Sequence, residues 1–375
     1  MPARQLLFRI FVLFTVFLAC TSSPAPVLAV KLQPADVSRG EIELFLNELF
    51  EERSLHLVHP NRSHEKYYDT NSKAGRHALA VQNNRAAYLQ SWAAKRQMII
   101  TDSKSSLRIR GFKVQGEQIQ LTFGHSQKIT YAYPDQPSQE QWFGLGTWHV
   151  MTLKRQENGW NVSKEWFLDP LEENPNKIPD GSPPLPSSPR PAVAAGQRYD
   201  RQRAVAYANK YAGLAWGAGN EGKYNGKYKN YNHLGGDCTN FASQVLGDPQ
   251  EGGGLSMRGP WRYHYRSGGT RTWVQTDAFK HFLLHSGYAQ RIASGYYEDL
   301  IQSTDKHPQS PFWELASGDL IAHVMHNDVD HFSIITGFDM RGYPLVNSHT
   351  ADRYKAPFDL GWDNKTQYLL IHIKD

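Results

Sequence analysis

The first half of the chain places apolar residues at helical spacing and then in alternation. Apolar positions between residues 41 and 52 recur with the period of an amphipathic helix, and a second helix is expected over residues 73–95. Short alternating runs then predict antiparallel strands; they cover residues 107–114, 117–123, 128–133, 147–154 and 160–167. Together these patterns predict an α+β unit over residues 37–169.

The order of these elements, helices followed by a curved antiparallel sheet, resembles the cone-shaped fold of nuclear transport factor 2-like (NTF2-like) domains. No group of residues typical of a catalytic site occurs in this unit. We therefore expect it to have a structural or targeting role.

Proline dominates the segment that follows. Eight prolines occur between Pro170 and Pro191, with few apolar residues among them. This composition disfavours helix and sheet and is typical of an extended, semi-rigid spacer. We predict a linker over residues 170–198.

The last part of the chain, residues 199–375, returns to mixed helical and strand patterns. A helix is predicted over residues 200–212 with Asp200 as its cap, and another over residues 276–285. Strand-like runs follow at residues 319–323, 331–336, 343–347 and 367–373. These elements indicate a second α+β domain.

Within this domain, a chain break leads directly into a helical pattern. Gly235 and Gly236 interrupt regular structure, and Asp237 can cap a helix. An apolar stripe follows at Phe241, Ala242, Val245 and Leu246. Cys238 is therefore predicted in the first turn of a helix that packs against the core.

The N-terminus has the pattern of an export signal over residues 1–29. Arg4 and Arg9 precede an apolar run, and Val27-Leu28-Ala29 resembles a cleavage site, so the mature chain should start near Val30. Lipidation at Cys20 and an uncleaved anchor are the two alternatives. No later stretch approaches the ~20 apolar residues of a membrane span, so we expect a secreted or cell-surface protein without one.

Charge and partners are less specific. The chain has 41 Lys and Arg against 36 Asp and Glu, a formal net charge of +5, and removing Arg4 and Arg9 with the signal leaves 5 − 2 = +3. No concentrated basic block suggests nucleic-acid binding. A monomer is expected.

Cysteine usage carries more information. The chain has two cysteines, Cys20 and Cys238, and the first lies inside the predicted signal. The mature protein would then have one thiol and no disulfide. An unpaired thiol in an exported protein indicates either a chemical role or a buried, inert side chain.

His331 is the best partner for a chemical role of Cys238. It stands at the start of a short apolar strand, where its ring could take the proton of the thiol. A helix N-terminus favours the thiolate anion. Asn347 or His349, placed on one face of the next strand by period-two alternation, could hold the far nitrogen of His331. The residues leave the choice between these two open.

The run from Gly235 to Gln244, together with Asp330-His331 and the segment from Ser348 to Arg353, closely resembles the amidase domain of bacterial exported proteins. That family is similar to the NlpC/P60 and CHAP cell-wall hydrolases of the papain-like superfamily. The resemblance implies a papain-like domain with Cys238 as nucleophile, His331 as base and His349 as third residue. Asn347 is the residue that a Cys-His-Asn arrangement would use.

A backbone N–H of Cys238 and a side chain from the preceding loop, Tyr231 or Asn232, are the candidates for an oxyanion hole. We expect hydrolysis of an amide or peptide bond through a thioester, with no metal and no organic cofactor. Peptidoglycan stem peptide is the first substrate to consider, with a secreted peptide or a small amide as alternatives.

Two other classes of function compete with this hypothesis. His323, His326, Asp328, Asp330 and His331 look like metal ligands, although they have no regular spacing. A non-catalytic cell-wall binding module is the second; aromatic residues that could stack on sugars favour it, namely Trp216, Trp261, Tyr263, Tyr265 and Trp273. A pure binding module, however, has no need of both Cys238 and His331.

Overall fold

A computed structural model describes residues 37–157, 159–171, 174–185, 190 and 196–375. The predicted export signal and Cys20 lie outside the described residues, as do parts of the proline-rich segment. Residues from Val37 to Asp375 group into one compact unit.

Helices open both halves of this unit. The helices are α1 (Arg39–Val58), α2 (Lys73–Lys95), α3 (Arg201–Lys210), α4 (Cys238–Gly247), α5 (Arg271–Val274), α6 (Thr276–His285) and α7 (Tyr297–Leu300). Short polar side chains start several of them, because an oxygen at the cap satisfies a free backbone N–H. Ser38 accepts from the N–H of Glu41, Ser72 from that of Gly75, and Asp200 from that of Arg203.

Ten of the strands in the described residues form one antiparallel sheet. The strands are β1 (Ile99–Gln115), β2 (Gln118–Tyr133), β3 (Gln136–Gln156), β4 (Gly159–Phe167), β5 (Tyr263–His264), β6 (Gly268–Gly269), β7 (Ala289–Tyr296), β8 (Leu320–Met325), β9 (Asp328–Phe338), β10 (Pro344–Ser348), β11 (Asp352–Pro357) and β12 (Gln367–Ile373). The large sheet has the order β1-β2-β3-β11-β10-β9-β8-β12-β7, with β4 also paired to β3. Strands β5 and β6 form a separate pair.

Strand β3 joins the two predicted domains. One part of it, at Gly144–Gly146, pairs with β11, while its later part pairs with β4. The sheet thus runs without interruption from the first half of the chain into the second. The fold is a mixed α and β arrangement built on a large antiparallel sheet, in agreement with the predicted α+β class.

One hydrophobic cluster also draws on both halves. It contains Leu89 and Trp92 from α2 together with Ile335, Val346 and Tyr368 from the last strands. A second cluster lies under α3, α4 and α6, on the opposite face of β9. Whether each predicted domain folds alone stays a prediction.

The proline-rich segment lies against the rest of the unit where it is described. The backbone oxygens of Pro179 and Gly181 accept hydrogen bonds from Arg96. Arg190 donates to three carbonyl oxygens between residues 312 and 315 and to that of Gly342. These described residues are docked on the protein surface instead of spanning open space between two bodies.

No helix in the described part of the chain combines the length and apolar character needed to cross a membrane.

Candidate functional site

Helix α4 begins at Cys238, as the sequence predicts. Gly235 and Gly236 adopt φ values of 110° and 126°, a region that residues with a Cβ rarely enter. These two glycines turn the chain so that α4 starts directly after Asp237. All ten residues of α4 are buried, and Phe241 and Val245 pack into the cluster beneath it. Cys238 itself is 7% exposed.

Burial raises the pKa of the Cys238 thiol above its ordinary value of 9.0. The backbone N–H groups of Phe332 and Thr239 and the Thr239 hydroxyl act in the opposite sense, and the Asp237 charge adds to the rise. The thiol is therefore neutral at pH 7 in this structure. The sequence argument from the helix N-terminus had favoured the thiolate, but it could not include the loss of solvent.

His331 lies on β9, directly opposite His323 of β8. Its ring packs beside those of His323 and Trp362, with centroids 5.6 and 5.4 Å away. Burial, together with the positive charges of Arg353 and His349, lowers the pKa of His331 to about 3. Its Nε2 is buried without a hydrogen-bond partner in the described residues. His331 is thus a neutral imidazole at pH 7 and, in this buried environment, a weak base.

The backbone of β9 connects Cys238 to His331. The N–H that reaches the Cys238 thiol belongs to Phe332, the residue after His331. No hydrogen bond joins the Cys238 thiol to the His331 ring within the described residues. Among the described side chains, the thiol contacts the Thr239 hydroxyl, at 3.8 Å. Cys238 thus lies against the strand that carries His331, but the two side chains are not hydrogen-bonded to each other. Catalytic hydrogen bonds are often long in the absence of substrate and tighten in its complex.

His349 contacts Asp237 and not His331. Its Nδ1 lies 2.6 Å from Oδ2 of Asp237, its Nε2 lies 2.6 Å from the carbonyl oxygen of Tyr211, and its ring stacks on Phe241. Burial alone would lower the pKa of His349, but the hydrogen bond and charge of Asp237 raise it overall. Both ring nitrogens face acceptors, so both carry a proton.

Asp237 occupies the N-cap position of α4, but its side chain makes no cap hydrogen bond. Its Oδ1 instead accepts from the Tyr231 N–H and from Nδ2 of Asn240, and its Oδ2 faces His349. The sequence reading of Asp237 as a helix cap therefore missed its main partner. The signal that could have revealed it was the pairing of a carboxylate and an imidazole within one family-like motif.

Asn347 is fully buried, and its side chain forms hydrogen bonds with α3 and with residues of β9 and β11. Its Nδ2 donates to the carbonyl oxygen of Ala208 and to Oδ1 of Asn209, both at 3.0 Å. Its Oδ1 accepts from the Thr336 hydroxyl and the Lys355 N–H. Asn347 of β10 pairs in register with Ile334 of β9, so its side chain lies on the same face of the sheet as that of Ile334. The His331 side chain lies on the opposite face.

The two oxyanion candidates lie in different surroundings. The Tyr231 hydroxyl accepts a hydrogen bond from the N–H of Gly269, and its backbone N–H binds Asp237. Oδ1 of Asn232 accepts from the hydroxyl of Thr350, which in turn accepts from the Asp237 N–H. Nδ2 of Asn232 has no hydrogen bond within the described residues, so it is the better placed free donor.

A cavity of about 160 Å³ adjoins this loop. One wall is formed by Asn232, His233, Thr350 and Ala351, and the other by residues of β3 and the end of β4. Asp352 lies in its lining and binds the Leu214 N–H and the Tyr224 hydroxyl. Burial raises the pKa of this carboxyl to about 6. Both halves of the chain line this cavity, which includes the oxyanion candidate Asn232 but neither Cys238 nor His331.

The residues that suggested a metal site do not converge. His323 stacks on Trp362, and Asp328 lies beside Asp277, whose charge and hydrogen bond raise the pKa of Asp328. Within the described ranges, no group of three or more His, Cys, Asp or Glu side chains could hold a metal ion.

The aromatic residues that suggested sugar binding belong mostly to the interior. Trp261 and Trp273 are fully buried and stack on each other, and Tyr263 is buried beside them. Tyr265 is exposed and Trp216 is half-buried. Three of the five residues are thus packing residues beneath α4 and α6.

Residues 198–372 match the family model described as "Putative amidase domain". None of the curated proteins matches the chain. Among solved structures, the intermembrane space region of the chloroplast protein ARC6 has 13% identity and a TM-score of 0.26, covering 35% of this chain and 96% of that one. A periplasmic fragment of TraM has 13% identity and a TM-score of 0.24 over the same shares; scores this low do not establish a shared fold. Residues 198–372 are therefore similar to an amidase domain, and amidases are hydrolases that act on C–N bonds.

Proposed function

We propose that the protein is an exported cysteine hydrolase that cleaves an amide or peptide bond, with Cys238 as nucleophile and His331 as general base. One observation carries the proposal. The thiol at the start of α4 lies at the backbone N–H of Phe332, the residue after His331, and the buried Nε2 of the neutral His331 ring has no partner in the described residues. His64 and His323 also have unpaired ring nitrogens, so what sets His331 apart is its position next to Phe332, whose N–H reaches the thiol.

The reaction starts from a neutral thiol and a neutral imidazole. Substrate binding brings the His331 ring to Cys238, and the ring takes the thiol proton as sulfur attacks the carbonyl carbon. The C–N bond then breaks, and the proton on His331 goes to the leaving amine. Water, deprotonated by the same ring, resolves the thioester to a carboxylic acid and the free thiol. No external oxidant, reductant or cofactor is required.

We assign His349 to positioning and not to orientation of His331. Through Asp237 it holds the residue before the nucleophile, and through Phe241 it packs on the helix that carries Cys238. Asn347 fastens α3 to the sheet in the same way. The His331 ring is therefore oriented by packing against Trp362 and His323, and not by a third catalytic residue.

The finer fold assignments belong to this proposal. A thiol-bearing helix packed on an antiparallel sheet supports a papain-like arrangement related to the NlpC/P60 enzymes. Two helices packed on the long strands β1–β4 support an NTF2-like first half. Export by residues 1–29 would deliver the protein to the cell surface or medium, where peptidoglycan stem peptides are candidate substrates.

An acyl-enzyme trap tests the proposal. The protein is incubated with peptidoglycan fragments, peptides and simple amides, quenched in acid, and examined by intact-mass and peptide mass spectrometry. We expect an acyl group on Cys238 in wild type and none in Cys238→Ala. Binding of cell-wall fragments without cleavage or acylation would favour the non-catalytic binding module instead.

A further inference from the structure

A row of large apolar side chains lies exposed on the β3–β4 ladder beside the candidate site. Trp148, Trp166 and Leu168 are 39%, 62% and 54% exposed, and Val150 is exposed next to them. Val150 pairs in register with Trp166, so period-two alternation puts all four on one face. Contiguous exposed apolar residues usually mark a surface that binds something.

Three of these residues line the cavity that adjoins the loop of Asn232 and Thr350. Trp148, Trp166 and Leu168 form the wall that faces Asn232 and Thr350. Thr350 donates to Asn232 at 2.6 Å and accepts from the Asp237 N–H at 2.8 Å. The cavity wall is therefore hydrogen-bonded directly to the residue that precedes the nucleophile.

The lining selects the chemistry of the occupant. The one carboxylate in it, Asp352, is already bound by a backbone N–H and a tyrosine hydroxyl. The four ladder positions carry no charged side chain and offer only the two indole N–H groups as hydrogen-bond donors, so most of their surface is apolar. Two indoles and two aliphatic side chains fit an uncharged apolar group, which they would remove from water.

We propose that Trp148, Trp166 and Leu168 form a subsite for a bulky, uncharged apolar group of the amide substrate, beside the bond that Cys238 attacks. This inference rests on the proposed function and extends it, because it gives the first half of the chain a part in substrate recognition. The continuity of the cavity with the loop of Asp237 and Asn232 favours substrate over a second protein as occupant.

Two haloacetamides test the subsite, N-methyl and N-benzyl iodoacetamide. In each reaction the Cys238 sulfur forms a bond to carbon, iodide leaves, and the thiol proton passes to His331. We expect the N-benzyl reagent to label Cys238 of the full chain about tenfold faster or more, since burying a group of this size is favourable by that order. Trp148→Ala and Trp166→Ala should bring the ratio of the two rates close to one, and Trp148→Phe should retain most of it. Val114→Ala, which removes an exposed apolar side chain from β1, should leave both rates unchanged.

A second measurement separates this inference from the proposed function. Binding of unreactive N-benzylacetamide to Cys238→Ala, followed by ligand NMR, should be lost in Trp166→Ala whether or not the protein is a hydrolase. A ratio near one in wild type, a ratio that survives both tryptophan variants, binding of soluble glycans at this wall, or dimerisation that requires Trp166 would each overturn the subsite. Absence of any His331-dependent labelling together with intact N-benzylacetamide binding would overturn the hydrolase and leave the subsite standing.

Discussion

His349 and Asp237 form a buried ion pair, with 2.6 Å between Nδ1 and Oδ2. Asp237 also holds the Tyr231 N–H and the Asn240 side chain, so the pair ties the loop before the nucleophile to the first turn of α4. His349 follows the last residue of β10 and thereby links that strand end to Cys238. The position of the thiol depends on this pair.

Asp237→Asn should destabilise the protein by about 3–5 kcal/mol, because it leaves the buried His349 without its counter-charge. The folded pKa of His349 lies above its ordinary value of 6.5. The stabilisation is therefore complete below pH 6.5 and is lost as pH rises through the folded pKa. Urea unfolding at pH 6 and at pH 9 measures the difference from wild type, which should be larger at pH 6. An equal difference at both pH values would show that His349 is not charged in the fold.

A buried ion pair across the predicted domain boundary gives a second prediction. Arg96, the residue that follows α2, binds Asp359 at 2.7 Å, with both side chains fully buried, and Trp92 and Tyr343 donate to the same carboxylate. Arg96→Met should lower the free energy of unfolding by about 3–5 kcal/mol, since Asp359 is left charged and buried.

The neighbouring pair provides the control. Lys95 binds Asp180 at 2.7 Å, but the Asp180 side chain is 80% exposed, so Lys95→Met should cost less than about 1 kcal/mol. Circular dichroism in urea measures both variants. Equal effects for Arg96→Met and Lys95→Met would refute the assignment of Arg96 as a structural link between the two halves.

The local parts of this structure could be predicted from sequence. Gly235 and Gly236 break the chain and an apolar helical stripe follows, which is enough to predict that α4 starts at Cys238. Period-two alternation also predicted Asn347 and His349 on one face, but β10 ends at Ser348, so His349 lies beyond the strand. Both properties depend on residues within a few positions of each other.

The rest depends on contacts between distant residues. Asn347 and His331 lie on opposite faces of the sheet, and this follows from the register between β9 and β10. The polar start of β3 has no alternation of apolar and polar residues that would predict a strand. The pairing of β3 with β11 joins segments about 200 positions apart. The raised pKa of Cys238 requires knowledge of its burial.

Buried neutral histidines predict that acid weakens the fold. Burial lowers the pKa of His64 to about 4 and that of His331 to about 3, and it lowers those of His125 and His323 well below 6.5. The unfolded chain takes up these protons near pH 6.5, so each group costs about 1.4 kcal/mol of stability at pH 5.5. Asp352 and His349 shift upward and offset part of this loss.

The urea concentration at the unfolding midpoint should therefore decrease when the pH is lowered from 7.5 to 5.5. His64 has no hydrogen-bond partner on either ring nitrogen within the described residues, so His64→Phe should reduce this fall and raise stability at pH 5.5 by about 1 kcal/mol or more. A midpoint that stays constant or rises on acidification would contradict the neutral state of these rings.

The oxyanion donor can be distinguished by two single substitutions. Asn232→Ala should slow acylation of Cys238 about 100-fold, as loss of one donor does in comparable sites. Tyr231→Phe should change it less than threefold, because its hydroxyl accepts from the N–H of Gly269. Quenched-flow mass spectrometry with the substrate found in the acyl-enzyme trap gives both rates. The reverse order would move the oxyanion hole to Tyr231.

The central claim is that His331 activates Cys238, and alkylation of Cys238 by iodoacetamide across pH 5 to 10 tests it most directly. In wild type we expect labelling at pH 7 that depends on the neutral His331 ring. In His331→Asn it should be about 100-fold slower at pH 7 and should rise only above pH 9, where the buried thiol ionises by itself; His326→Ala should behave as wild type. Equal rates for wild type and His331→Asn at every pH would show an ordinary buried thiol and contradict the assignment of Cys238 and His331 as a catalytic pair.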